Sequence, residues 1–97
     1  MIAEFTARCA SVDAVICPAV AMVPPPLSSF VSDESYRQLN ALALRNTYVF
    51  NFLDATSGVV PMHQDGAAPT GLMLSARANH DGHVLALMQQ VSKALQR

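Results

Sequence analysis

The chain has 97 residues and a formal net charge of −1, a length that allows one domain at most, so residues 1–97 are read as a single segment. Six basic residues are scattered at Arg8, Arg37, Arg45, Arg77, Lys93 and Arg97, with no stripe to replace the counterions of a nucleic acid, and nucleic acid is excluded as a partner. Glu4 and Arg8 break the pattern of a secretory leader, and the most apolar stretch, 12–23, holds Asp13 and Pro18 and is too short to span a bilayer, so a cytoplasmic chain with no membrane partner is expected.

Ile2, Phe5, Cys9 and Val12 fall on one face of a first helix. It opens at Met1 without a capping residue before it, as a chain cut within a helix would, although Met1 serves equally as a natural start. Ala14-Val15-Ile16-Cys17 is apolar at every position and ends at Pro18, the pattern of a strand covered on both faces. Residues 18–32, with Pro24-Pro25-Pro26, predict an ordered extended loop, since proline neither continues a helix nor fits a central strand. Ser32 is placed to cap a second helix whose first turn holds Asp33 and Glu34. Its apolar face is Tyr36, Leu39, Leu42 and Ala43, with Arg45 near its end, and 46–53 continue as a second short helical turn or a bend. Val59-Val60-Pro61-Met62 predicts a second strand, Asp65-Gly66 a turn, and Gly71 to Arg77 a third strand. Asp81 then caps a last helix with Val84, Met88, Val91 and Leu95 along one face.

The helix between the first two strands predicts a parallel pair, and the short link between the second and third predicts a hairpin. The expected fold is α/β, a small mixed three-stranded sheet with about three helices. Hydrophobic residues make up 52% of the chain and charged residues 13%, against about 25% charged in ordinary domains. So short a chain should be more polar than average, so surplus apolar surface should lie against a larger body or a second copy. Bare strand edges carry the same implication, because they invite pairing unless the sheet is part of a wider one.

The order of landmarks resembles the amidase-signature family, which includes amidases and the glutamyl-tRNA amidotransferase A subunit. Asp13-Ala14-Val15-Ile16-Cys17-Pro18-Ala19 is similar to the family's D-x-L-L-T-P-T strand, and Pro24-Pro25-Pro26 stands where a proline-rich stretch follows it. Residues 45–51, Arg-Asn-Thr-Tyr-Val-Phe-Asn, resemble the N-T-x-P-x-N approach to a strand ending at Val60-Pro61. Asp65-Gly66 and Pro69-Thr70-Gly71-Leu72-Met73-Leu74 resemble the D-G-L-P-x-G-L-Q-L hairpin, and Asp81 with Val84-Leu85 matches the start of the closing helix. The likeness runs in order from about Phe5 to Leu95. It departs at Cys17 and Ala19 for threonines, at Asp54 and Thr56 for a glycine and a proline, at His63 for a glycine, and by one extra residue at the Asp65 turn.

The resemblance implies a C-terminal slice of that fold and, for the whole enzyme, hydrolysis of a linear amide by two serines and a lysine, with no cofactor. The base lysine must be buried among apolar groups and the oxyanion donors preorganised. The one lysine, Lys93, lies opposite the apolar face of its helix, and the one serine pair, Ser28-Ser29, lacks flanking glycines. No catalytic residue is therefore assigned, and the chain alone is expected to be inactive. Three readings fit: part of an amidase-like hydrolase, a standalone interaction module kept from that fold, or an unrelated small α/β protein with an accidental likeness. The expected partner is the remainder of the fold or a second copy.

Other candidates have structural readings. Asn46 and Thr47 are left open as substrate contacts, and Asn51 is read as a cap or turn residue. His80 and His83 with Asp81 form an H-x-x-H string, for which only His63 and Asp65 are available as further ligands, too few convergent groups for a metal. Met62, Met73 and Met88 are packing residues, and Cys9 and Cys17 are unpaired buried thiols of a reducing compartment.

Overall fold

The computed structural model describes residues 1–95; of the basic residues noted above, Arg97 lies outside this range. The elements in chain order are helix α1 (Ile2–Cys9), strand β1 (Val15–Pro18), a single 3-10 turn (Leu27–Ser29), helix α2 (Asp33–Phe52), strands β2 (Thr56–Pro61) and β3 (Gly71–Ala76), and helix α3 (Asp81–Leu95). Three helices and a three-stranded sheet in an α/β arrangement are what the periodicities predict. The sheet order is β1-β3-β2, with both pairings antiparallel.

The strand neighbours correct one expectation. β1 and β2 run in the same direction, but they do not pair, because β3 lies between them. The predicted parallel pair is thus replaced by two antiparallel ladders, and the β2–β3 hairpin supplies one of them. The order agrees with burial: Met73, Leu74, Ser75 and Ala76 of β3 are all buried, as suits a strand paired on both sides.

Alternation of the ladder assigns the faces. Gly58, Val60, Leu72, Leu74 and Ile16 share one face, and Val59, Cys17, Gly71, Met73 and Ser75 the other. Helix α3 packs on the first face across β2 and β3. There the backbone of Gly58 lies against Met88, whose side chain a Cβ on residue 58 would strike. Val84, at the start of the predicted apolar face, is 2% exposed. On the second face the one buried polar side chain among the described residues, Ser75, shares a 2.7 Å hydroxyl hydrogen bond with Ser57 directly opposite.

Both edge strands end in proline, and the ladder shows why this is tolerated. The amide of Ala19 donates to Gly71 and that of Met62 to Thr70. By alternation Pro18 and Pro61 occupy positions whose amide nitrogen faces away from β3. A proline there removes a donor from the free edge without breaking the ladder, and it blunts that edge against pairing.

Helix α2 is longer than predicted. It runs for 20 residues, and no separate bend occurs over 46–53. No proline or glycine interrupts 33–52; Val49 stands where the resembled N-T-x-P-x-N motif has its proline. Ser32 caps it as expected, accepting from the Ser35 amide while the Ser35 hydroxyl accepts from the Ser32 amide. At the far end the amides of Asp54 and Ala55 donate to the carbonyls of Asn51 and Phe50, the paired bonds of a Schellman termination. That ending needs a left-handed residue, and Asp54 takes it at φ 56°. Asn51 is thereby a helix-ending residue.

Smaller corrections concern boundaries. β2 begins at Thr56 and stops at Pro61, and β3 stops at Ala76. Asp81 is the first residue of α3 and not its cap; the His80 carbonyl starts the ladder by accepting from Val84. Gly66, at φ 84°, completes the expected turn, closed by the Ala67 amide donating to Gln64.

The result is a slab measuring 44 × 37 × 16 Å, with a radius of gyration of 15.4 Å, where a compact chain of this length has about 13 Å. Contrary to the expectation of a covered first strand, Ile16 is 62% exposed, because α3 lies over β2 and β3 only. No helix among the described residues is long and apolar enough to cross a membrane.

Candidate functional site

A broad groove lies on the sheet face opposite α3. Its floor is formed by Cys17, Val59 and Gly71, one wall by the loop from Ala19 to Pro25, and the other by Ala43, Arg45 and Asn46 of α2. The hairpin loop closes one end with Met62, His63 and Thr70, and the groove holds about 1030 Å³. Gly71 keeps the floor low: a Cβ there would stand 2.6 Å from a Val59 methyl.

The polar groups in this groove are held from behind. The Asn46 side-chain amide donates to the Pro18 carbonyl at 2.8 Å, tying α2 to the end of β1. Its Oδ1 accepts from Arg45 Nε at 3.4 Å. On the hairpin, the Thr70 amide donates to His63 Nδ1 at 3.1 Å, while the Thr70 carbonyl already accepts from Met62. His63 Nδ1 also lies 3.2 Å from that carbonyl, so its role as acceptor or donor depends on the ring tautomer. Burial pushes the Cys17 thiol up from its ordinary value, so it is a weaker nucleophile near neutrality than a free cysteine.

The residues weighed from sequence separate in space. Ser28 and Ser29 sit in the 3-10 turn and Lys93 in the exposed last turn of α3. No hydrogen bond among the described residues links Lys93 to either serine. Asn46 lines the groove; Thr47 instead donates its hydroxyl to the Leu44 carbonyl. The H-x-x-H histidines meet edge to face at 6.2 Å, and three of their four ring nitrogens are hydrogen-bonded elsewhere. His80 Nδ1 donates to the Ala78 carbonyl, its Nε2 accepts from Arg77, and His83 Nε2 donates to the Asp13 carbonyl at 2.8 Å. The last of these bonds holds the start of α3 to the α1–β1 connection. Among the described residues no three His, Cys, Asp or Glu side chains converge.

Met73 is buried and Met88 is half-buried against Gly58, whereas Met62 is exposed at the groove and is not a core packing residue. Cys9 and Cys17 are both free, the first buried and the second half-buried. Sequence reasoning passed over Arg45 and His63 as members of one site. They are 18 positions apart and on different elements, and only the hairpin's return beside β1 brings them to one groove.

Comparison with known proteins finds no match: no family, no curated protein and no solved structure is similar to this chain.

Proposed function

We propose that this chain is the C-terminal, non-catalytic part of an amidase-like C–N bond hydrolase, which contributes sheet and helix surface to a larger core. The observation that carries this reading is α2, 20 residues long without one buried side chain. Leu44, Tyr48 and Phe52 lie along it at four-residue spacing and are 45%, 69% and 62% exposed. A stripe of that kind on a helix is the face that packs against another element. The landmark order from Asp13-Ala14-Val15 to Asp81 supports the same reading, and two free thiols suit a reducing cytoplasm.

The second reading, a standalone oligomerisation module of the same origin, draws on the same stripe. In either case the partner, remainder of the fold or second copy, meets the helix face, because Pro18 and Pro61 blunt the sheet edges. Light scattering on the purified chain tests the shared premise: association should rise with concentration and fall when Tyr48 and Phe52 are both changed to Lys. A defined dimer favours the module; polydisperse association favours the hydrolase part. A monomer at high concentration sinks both. No turnover of a simple amide is expected, and turnover abolished by Lys93→Ala would overturn the catalytic assignment.

A further inference from the structure

We propose that the groove between the sheet, α2 and the proline-rich loop binds an apolar monocarboxylate of medium chain length, with the chain along Val59 and Met22 and the carboxylate at Arg45. Its volume of about 1030 Å³ is at the upper end of the range for small-molecule sites, about 300–1,000 Å³. Most of its lining is apolar, and no aspartate or glutamate contributes to it.

The charge balance selects the head group. The two ion pairs among the described residues join Arg8 to Glu4 and Arg37 to Glu34. Among the described residues, Arg45, which is exposed, has no carboxylate within the 4.0 Å of such a pair, and its one side-chain hydrogen bond uses Nε toward Asn46. Its two terminal nitrogens keep their donors for a planar anion, which a carboxylate matches with two parallel bonds. His63, which also lines the groove, offers its ring as a further polar contact. One guanidinium balances one negative charge. A dianionic phosphate would exceed that single charge, and an ammonium would meet the Arg45 guanidinium as a like charge. The site is complete within this chain, so the inference does not rest on the hydrolase reading, and its failure leaves the association experiment untouched.

Titration calorimetry with octanoate, octanol, octylammonium and acetate tests it. Octanoate should bind at least about tenfold more tightly than octanol, as a charge-assisted pair implies. Octylammonium should bind more weakly than octanol, and acetate should not bind over the same range. Arg45→Gln, with its fold checked by circular dichroism, should remove that tenfold advantage and leave octanol unchanged, while Arg45→Lys retains part of it. Arg37→Gln, on the same helix outside the groove, should change nothing. Octanoate should also slow alkylation of Cys17 in the unmodified protein. Equal affinity for octanoate and octanol, an unchanged Arg45→Gln, an equal loss in Arg37→Gln, or unprotected Cys17 would each overturn the proposal.

Discussion

The two sides of the sheet are built to different standards. On one, α3 presses its apolar face onto β2 and β3, closely enough that a side chain at Gly58 would displace Met88, and Val60, Leu74 and Val84 are nearly inaccessible. On the other, α1 and α2 make no comparably broad contact with any strand, and α2 touches the sheet at points such as Asn46 on the Pro18 carbonyl. Phe5 and Phe50 meet edge to face at 6.3 Å, joining the two helices to each other. The difference teaches where this chain keeps its stability and where it keeps surface for something else. Packed layers resist change, and a helix face without a partner tolerates it.

The sharpest way to break this comparison is paired truncation. Leu74→Ala should cost about 2–5 kcal/mol by leaving a cavity in the packed layer. Phe52→Ser, on the exposed stripe, should change stability by no more than about 0.5 kcal/mol. Urea unfolding followed by circular dichroism reads both; comparable losses would mean that α2 is covered after all. The next effect concerns the α3 contact. Gly58→Val should cost about 1–3 kcal/mol by overpacking, and Met88→Ala in the same chain should recover part of that loss, since the two groups compete for one space. Additive losses in the double variant would place the strain elsewhere.

The smallest effect sharpens the comparison at α2's end. Asp54 holds the left-handed position of a Schellman termination that glycine fills without steric conflict. Asp54→Gly should therefore stabilise the chain by about 1 kcal/mol, read as a shifted urea midpoint. A loss would show that the Asp54 side chain contributes something its backbone strain conceals.

Much of the architecture was legible before any coordinates. Ser32 ahead of Asp33-Glu34, the Asp65-Gly66 turn and the Val84-Met88 face are local signals, each acting within a few residues, and each forms as expected. The full length of α2 was harder to read, because Asn46 and Asn51 suggest a break while the absence of proline at 49 lets the ladder continue. The groove was not legible. Cys17, Arg45 and His63 carry no shared spacing, and each alone resembles an ordinary strand, helix or loop residue.

The sequence by itself determined which segments coil, extend or turn, and that the chain holds more apolar surface than its size can cover. These follow from periodicity, capping and composition, all properties of neighbouring residues or simple sums. Only the tertiary structure decided that β3 enters between β1 and β2, and with it which side chains share a face. Strand order depends on the free energy of alternative pairings between distant segments, and no local pattern at Val15 or Val60 distinguishes a parallel neighbour from an antiparallel one. The groove and its unpaired arginine are consequences of that insertion.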